Sequence, residues 1–282
     1  MSLSIIILAA GKGTRMYSAK PKVLHEVGGK PMLQHVIELA QKLNPSDIDV
    51  VIGHQAERIK EALSNTGVRW VLQEEQLGTG HAVMQAIDQV QGDKVRVLYG
   101  DVPLTSDATL SKFLAESEND QLGILTVKLT DTSGYGRIVR GSENEILAII
   151  EQKDADERTL EIQEGNSGIL CANTSHLKKW LSDLKNDNNQ GEYYLTDCVA
   201  AAVKENVRVS GVCIENEIEV LGINNQLQLE AMEREYQKRK AEALMLQGVT
   251  IKDKNRIDIR GDLHCGKDVV IDVNCLFEGD VQ

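Results

Sequence analysis

Leu8-Ala9-Ala10-Gly11-Lys12-Gly13-Thr14-Arg15-Met16 grows out of the apolar run at residues 5–9. A strand that runs into a glycine-bearing turn can bend its backbone closely around an anion with N–H groups pointing inward. A plain tight turn explains Gly-x-Gly equally well when it is read alone. Two nucleotide motifs are excluded, because Met16 stands where G-x-G-x-x-G needs its third glycine and no G-K-[ST] follows at P-loop spacing. Lys12, Arg15, Lys20 and Lys22 fall within eleven residues of a chain whose net charge is -12, which favours phosphate over the bare turn. Pro21, with its fixed φ and missing N–H, would hold Lys22 in place.

Outward from this loop, apolar runs at 50–52, 70–72, 95–99 and 124–127 alternate with helical patterns at 33–43, 59–63, 82–90 and 110–114. That rhythm predicts an α/β fold with a doubly wound, mainly parallel, Rossmann-like sheet, and ligands of such sheets sit at the carboxyl ends of strands. After Gly134-Tyr135-Gly136, shorter strand-like stretches at 138–140, 146–151 and 168–172 suggest an inserted substrate-side layer. Residues 226–247 are highly charged, lack Gly and Pro, and precede Gly248, so they read as a helical arm with a glycine cap. Beyond it Ile257, Leu263, Val269, Cys275 and Val281 recur every six residues, with Ile259, Cys265, Ile271 and Phe277 in a second register. This is hexapeptide periodicity, against ordinary alternating strands as the plainer reading. The expected division is 1–225 as the nucleotide-handling domain, 226–248 as a linker and 249–282 as the start of a left-handed parallel β-helix that would continue in a longer protein.

An acidic chain of pI near 5.0 without a Lys/Arg-rich run is a poor partner for nucleic acid. Five cysteines without a C-x-x-C pair fit a reducing cytoplasm. The absence of a basic, apolar leader or a run near 18 apolar residues argues against export or membrane insertion.

Several ordered motifs carry a closer resemblance. L-A-A-G-K-G-T-R-M followed by P-K-V-L-H, Gln73 with Q-L-G-T-G-H at 76–81, Y-G-D-V-P at 99–103, G-Y-G-R at 134–137, the 190–197 segment with G-E-Y-Y-L-T-D, and G-I-N-N at 222–225 together resemble the sugar-nucleotide pyrophosphorylases, specifically the bifunctional N-acetylglucosamine-1-phosphate uridyltransferase family. The resemblance covers essentially the whole chain. It implies that Leu8, Ala9, Ala10 and Gly11 wrap the nucleotide and that Gln73, Gly78 and Thr79 meet the uracil and ribose. A glutamine amide suits uracil because it offers both a donor and an acceptor; alone, Gln73 reads as a solvated strand end. Tyr99 and Gly100 belong to the same substrate-binding set, and Gly136, Glu151 and Asn166 are implied around the sugar. Without the family, Glu151 beside Lys153 reads as an exposed pair of little consequence.

The resemblance further implies magnesium as cofactor, held by Asp101 and Asn224, with Arg15, Lys22 and Asp101 as the catalytic residues. Asp101 also reads as a simple turn-former before Val102-Pro103. The implied reaction joins UTP and N-acetylglucosamine 1-phosphate to give UDP-N-acetylglucosamine and pyrophosphate, by in-line attack without a covalent intermediate. Acetyl transfer, the family's second activity, is expected to be absent from these 282 residues, and trimer formation is expected only of the full-length protein. A pyrophosphorylase for another sugar or nucleotide and a non-catalytic nucleotide-binding scaffold are the alternatives. His25, His54 and His81 lack metal-ligand spacing and read as structural or surface groups. Gly165 and Ser167 depart from the family pattern around Asn166, and the glycine is expected to loosen the sugar side.

Overall fold

The computed structural model describes residues 2–117 and 122–282. β1 (Leu3–Ala9) leads through a small hairpin, β2 (Glu26–Val27) and β3 (Lys30–Pro31), into α1 (Met32–Lys42). β4 (Asp47–Ile52), α2 (Ala56–Ala62), β5 (Arg69–Leu72), α3 (Thr79–Ile87), β6 (Lys94–Tyr99), α4 (Asp107–Ser117) and β7 (Leu122–Lys128) continue the alternation expected from the sequence. The inserted layer is β8 (Arg137–Arg140), β9 (Ile146–Ile150), α5 (Glu157–Leu160) and β10 (Glu164–Asn173). α6 (Thr174–Ser182), α7 (Asp197–Lys204) and β11 (Val209–Ile214) complete the sheet region.

Among the described residues the main sheet runs β11-β7-β10-β6-β1-β4-β5, with β8 and β9 attached beside β10. β1 pairs in parallel with β4 on one side and β6 on the other. Ile5, Ile6 and Ile7 are wholly buried, because helices cover both faces of this central strand. Ile5 and Ile7 face Leu33, Ile37 and Ile59, whereas Ile6 and Leu8 belong to the opposite core with Ala82, Val83 and Ala86. That two-sided burial is why the strand reads as a continuous apolar run rather than an alternating one.

The chain moves outward from β1 to β4 and β5, then crosses back to β6 on the other side of β1. The crevice beyond the carboxyl ends of β1 and β6 is therefore a topological switch point, where α/β sheets bind ligands. Leu8 and Tyr99 are register partners there. β10 enters antiparallel between β6 and β7, and its pairing with β7 shifts between Asn166 and Leu170. The strand is longer than the 168–172 stretch read from sequence, because Gly168 breaks its pattern. A side chain at that left-handed position would strike the Tyr99 ring at 2.5 Å.

α8 (Gln226–Leu246) is followed by Gln247 and then Gly248 at φ +99, the cap geometry expected of that glycine. β12 (Thr250–Ile251) pairs in parallel with β14 (Val270–Ile271), and β13 (Ile257–Leu263) with β15 (Cys275–Val281). Ile257 lies against Cys275 and Ile259 against Phe277. Ile251, Ile257, Ile259 and Ile271 form a small core with Leu263, Cys265, Val269, Cys275 and Phe277 packed against it. The intervening Val270 and Leu276 face outward at 60% and 52% exposure.

α8 buries Met232, Ala241 and Leu244 and is also seated on its neighbours through buried polar contacts. The Gln237 side chain, 2% exposed, donates to Ile259 O at 3.1 Å and accepts from Ile259 N at 2.7 Å. Glu233 accepts from Gly28 N, and Arg239 donates to Leu104 O. Replacing Gln237 by leucine leaves a buried peptide donor and acceptor unpaired. Gln237→Leu should cost roughly 2–3 kcal/mol in urea unfolding; an unchanged midpoint would show that the arm does not depend on this bond.

Candidate active site

Two clefts meet at the carboxyl edge of β1 and β6. The first, about 250 Å³, is lined by Leu8, Ala9, Ala10, Gly11, Lys22, Gln73, Gly78, Thr79, Tyr99 and Asp101, with Val23, Gln76, Ala82 and Glu192 completing its wall. The second, about 280 Å³, takes in Arg15, Gly136, Glu151, Asn166 and Asn224, and shares Thr79, Tyr99 and Asp101 with the first. Gly100 lines neither cleft. It lies buried behind them, its N–H donating to Leu8 O at 2.9 Å.

Lys22 holds the junction. Its ammonium pairs with Asp101 and donates to Asn224 Oδ1 at 2.7 Å. Pro21 precedes a single 3₁₀ turn, Lys22–Leu24, whose Val23 and Leu24 are buried, so the base of the lysine is anchored. Gly13, at φ +60, packs directly over it, and a Cβ there would come within 2.5 Å of Lys22 Cβ. Asp101 does sit in a turn, with Val102 N donating to Tyr99 O at 3.2 Å, yet its carboxylate turns into the cleft. Ile223 N donates to Asp101 O at 3.0 Å, which brings the 222–224 segment alongside. Arg15 is exposed on an otherwise open loop, and Lys20 turns away to pair with Glu26 at 2.8 Å.

Asp101 and Asn224 thus present a carboxylate and an amide oxygen to one cationic nitrogen. Hard oxygen donors converging in this way suit a small divalent cation. Among the described residues no group of three His, Cys, Asp or Glu is placed to hold a metal. A cation at Asp101 would therefore complete its shell with water or substrate oxygens, the habit of magnesium rather than of zinc.

On the first-cleft side, Gln73 is 3% exposed and not a solvated strand end. Its amide nitrogen lies 3.2 Å from Gly78 O and 3.1 Å from His81 Nδ1. Its N–H groups are thereby engaged within the protein, and the carbonyl end remains to meet a ligand.

On the second-cleft side, Lys153 bonds Gln190 rather than Glu151. Glu151 accepts from Thr196 Oγ1 at 3.0 Å. Burial pushes its carboxyl above the ordinary range, the Thr196 bond opposes this, and the charges of Asp197, Asp154 and Glu192 reinforce it. Burial likewise raises the Tyr99 phenol, with Glu151 and Asp101 adding to the effect. Asn166 N donates to Gly136 O at 2.8 Å, tying two of the expected sugar-side residues together. The space beside Gly165 is filled by Leu129, whose Cδ1 stands 2.5 Å from where a Cβ would lie, and Ser167 donates to Leu125 O. Leu129 therefore occupies the space that a side chain at Gly165 would take.

Tyr135, Thr196 and Gln228 also line the second cleft and were not singled out beforehand. Tyr135 had a signal, its place between two glycines. Its phenol accepts from Gly222 N at 3.3 Å, a contact across 87 residues that local pattern cannot show.

Residues 5–168 match the MobA-like NTP transferase domain, and the chain belongs to that family. It is 52% identical over 280 residues to a protein of Ralstonia pickettii named bifunctional protein GlmU, and 50% identical over 287 residues to one of Legionella pneumophila with the same name. These alignments take in 99% and 100% of this chain. The chain spans 62% of the length of those relatives. Its fold is similar to a UDP-glucose pyrophosphorylase solved with UDP-glucose, at TM-score 0.69 and 18% identity over 85% of this chain and 100% of that one. HddC of Yersinia pseudotuberculosis, solved with GMP-PN, superimposes with TM-score 0.61 and 20% identity over 83% of this chain and 99% of that one.

The Glu151 shift has a stability consequence. A carboxyl raised in the folded state contributes stability that is present below its unfolded pKa and lost as pH rises through the folded value. Glu151→Gln should raise the Tm at neutral pH, and the gain should vanish in acid where both forms are uncharged. A gain that persists unchanged into acid would separate it from ionisation.

Proposed function

We propose that this chain transfers a uridylyl group from UTP to N-acetylglucosamine 1-phosphate, releasing pyrophosphate and UDP-N-acetylglucosamine, the kind of precursor consumed in cell-wall synthesis. The observation that carries the reading is the junction of two clefts at Asp101, with Lys22 and Asn224 on the same few ångströms of wall. One cleft suits a nucleotide and the other a sugar, so the reacting phosphates meet where the cations are. Identity of 50–52% over 62% of the length of proteins named bifunctional GlmU supports the choice of substrates. On this reading 1–225 is the catalytic domain, 226–248 a linker and 249–282 the opening of a left-handed β-helix, which the parallel pairing of β13 with β15 supports. A cytoplasmic setting is consistent with five unpaired cysteines.

The backbone from Leu8 to Gly11 would cradle the nucleotide, with Gln73, Gly78 and Thr79 at the base and ribose. Gly136, Glu151 and Asn166 would receive the sugar hydroxyl and acetamido groups. The sugar phosphate is already anionic, so no side chain need remove a proton from the attacking oxygen. Lys22 would leave Asp101 and Asn224 to neutralise the reacting phosphates, and Arg15 would take the leaving pyrophosphate. Asp101 and Asn224 would hold magnesium, which supplies charge neutralisation between the two substrates.

Pyrophosphate release across a grid of triphosphates and sugar phosphates, with and without magnesium, tests the assignment. Turnover confined to another pair of substrates would overturn it. Asp101→Asn should lower turnover at least roughly 100-fold, about 2.7 kcal/mol or more, with little change in thermal unfolding. Near-normal activity at ordinary magnesium would leave Asp101 only its turn. Arg15→Ala should depress turnover far more than it weakens binding of UDP-N-acetylglucosamine, since the product lacks the leaving group. Equal losses in the two measurements would move Arg15 away from it.

A further inference from the structure

The wall of the first cleft contains an amide whose sense is set from behind. Gln73 stands at the end of β5, 3% exposed, and its Nε2 lies 3.2 Å from the carbonyl oxygen of Gly78. A carbonyl oxygen can only accept, so the NH2 end of the amide must face it. The same NH2 lies 3.1 Å from Nδ1 of His81, on the first turns of α3. That contact is a hydrogen bond only when Nδ1 is the unprotonated nitrogen and the ring proton sits on Nε2; the Gln85 Nε2 that lies 3.2 Å from ring Nε2 then donates to His81 O instead, also at 3.2 Å. Tyr193 lies beside the imidazole, its centroid 6.2 Å away.

We propose that His81 is a positioning residue for base selection: by accepting from Gln73 it locks the amide with its oxygen toward the bound base. The proposal rests on the nucleotide reading of the first cleft. A fixed carbonyl oxygen pairs with a ring N–H, which uracil carries at N3, and repels the unprotonated ring nitrogen that cytosine carries at the same place. Without His81, the amide keeps only its contact with Gly78 O. Turning it over then costs one hydrogen bond instead of two and presents an N–H that cytosine can use. His81 itself lines neither cleft, and its ring meets the wall of the first cleft at Gln73.

The test compares wild type, His81→Leu and His81→Asn for kcat/KM with UTP and with CTP at saturating sugar phosphate. His81→Leu should lower the UTP:CTP ratio about tenfold, the effect of one lost hydrogen bond, while KM for the sugar phosphate stays within about twofold. His81→Asn keeps an acceptor and should recover part of the ratio. Calorimetric binding of UMP and CMP gives the same comparison without turnover, and serves with His81→Asn if the leucine variant fails to fold. Equal losses with both nucleotides, or an unmoved ratio in a wild-type protein that prefers UTP, would overturn the role of His81 alone. A wild-type protein that shows no preference for UTP would overturn the nucleotide reading and this proposal together.

Discussion

A single ammonium, that of Lys22, joins three segments that are remote in the chain. It meets Asp101 at the end of β6 and Asn224 just before α8, and it reaches both from a turn that follows β1. This contact depends on the order of the sheet. If β6 did not return to the opposite side of β1 from β4, the Gly11 loop and Asp101 would not border one crevice. Two of the oxygens that satisfy Lys22 are those proposed for magnesium. An ammonium and a divalent cation would then compete for the same donors, and a lysine released from them would be able to turn to phosphate.

The acidity of the chain gives this arrangement its value. A protein of net charge -12 repels polyphosphates at long range. Attraction must therefore be local, and it is concentrated on the loop that carries Lys12, Arg15 and Lys22. The second cleft shows the opposite balance. Burial, reinforced by the charges of Asp197, Asp154 and Glu192, pushes Glu151 toward its neutral form.

Much of the sheet was legible because its central strands are buried on both faces. The run at 5–9 is apolar throughout for that reason, and the run at 95–99 is apolar save for Arg96. β10 was legible only in part, since its partner register shifts at Asn166 and its glycines answer to Tyr99 and Leu129, residues far away in sequence. The cleft linings were legible where they lie at strand ends and in glycine-rich turns. What stayed hidden were side-chain commitments. Nothing local says that Gln73 spends its N–H groups on Gly78 and His81, that Lys153 prefers Gln190, or that Tyr135 reaches Gly222.

α8 shows the same limit from another direction. A helix with charge on every face reads as a solvated arm, because burial is inferred from an apolar stripe. Here the buried apolar contacts of Met232, Ala241 and Leu244 are joined by polar atoms aimed at backbone: Gln237 at Ile259, Glu233 at Gly28, Arg239 at Leu104. Such bonds are directional, so they fix the helix against both neighbours more tightly than a small apolar seam would. Asn225 caps the first turn of this helix, accepting from Gln228 N, and Asn224 is the residue immediately before it. Gln228 in turn accepts from Asn224 N at 2.7 Å. The amide that meets Lys22 is therefore held by the start of a helix that is itself pinned along its length, so the strand-derived half of the site and the helix-derived half keep a fixed separation.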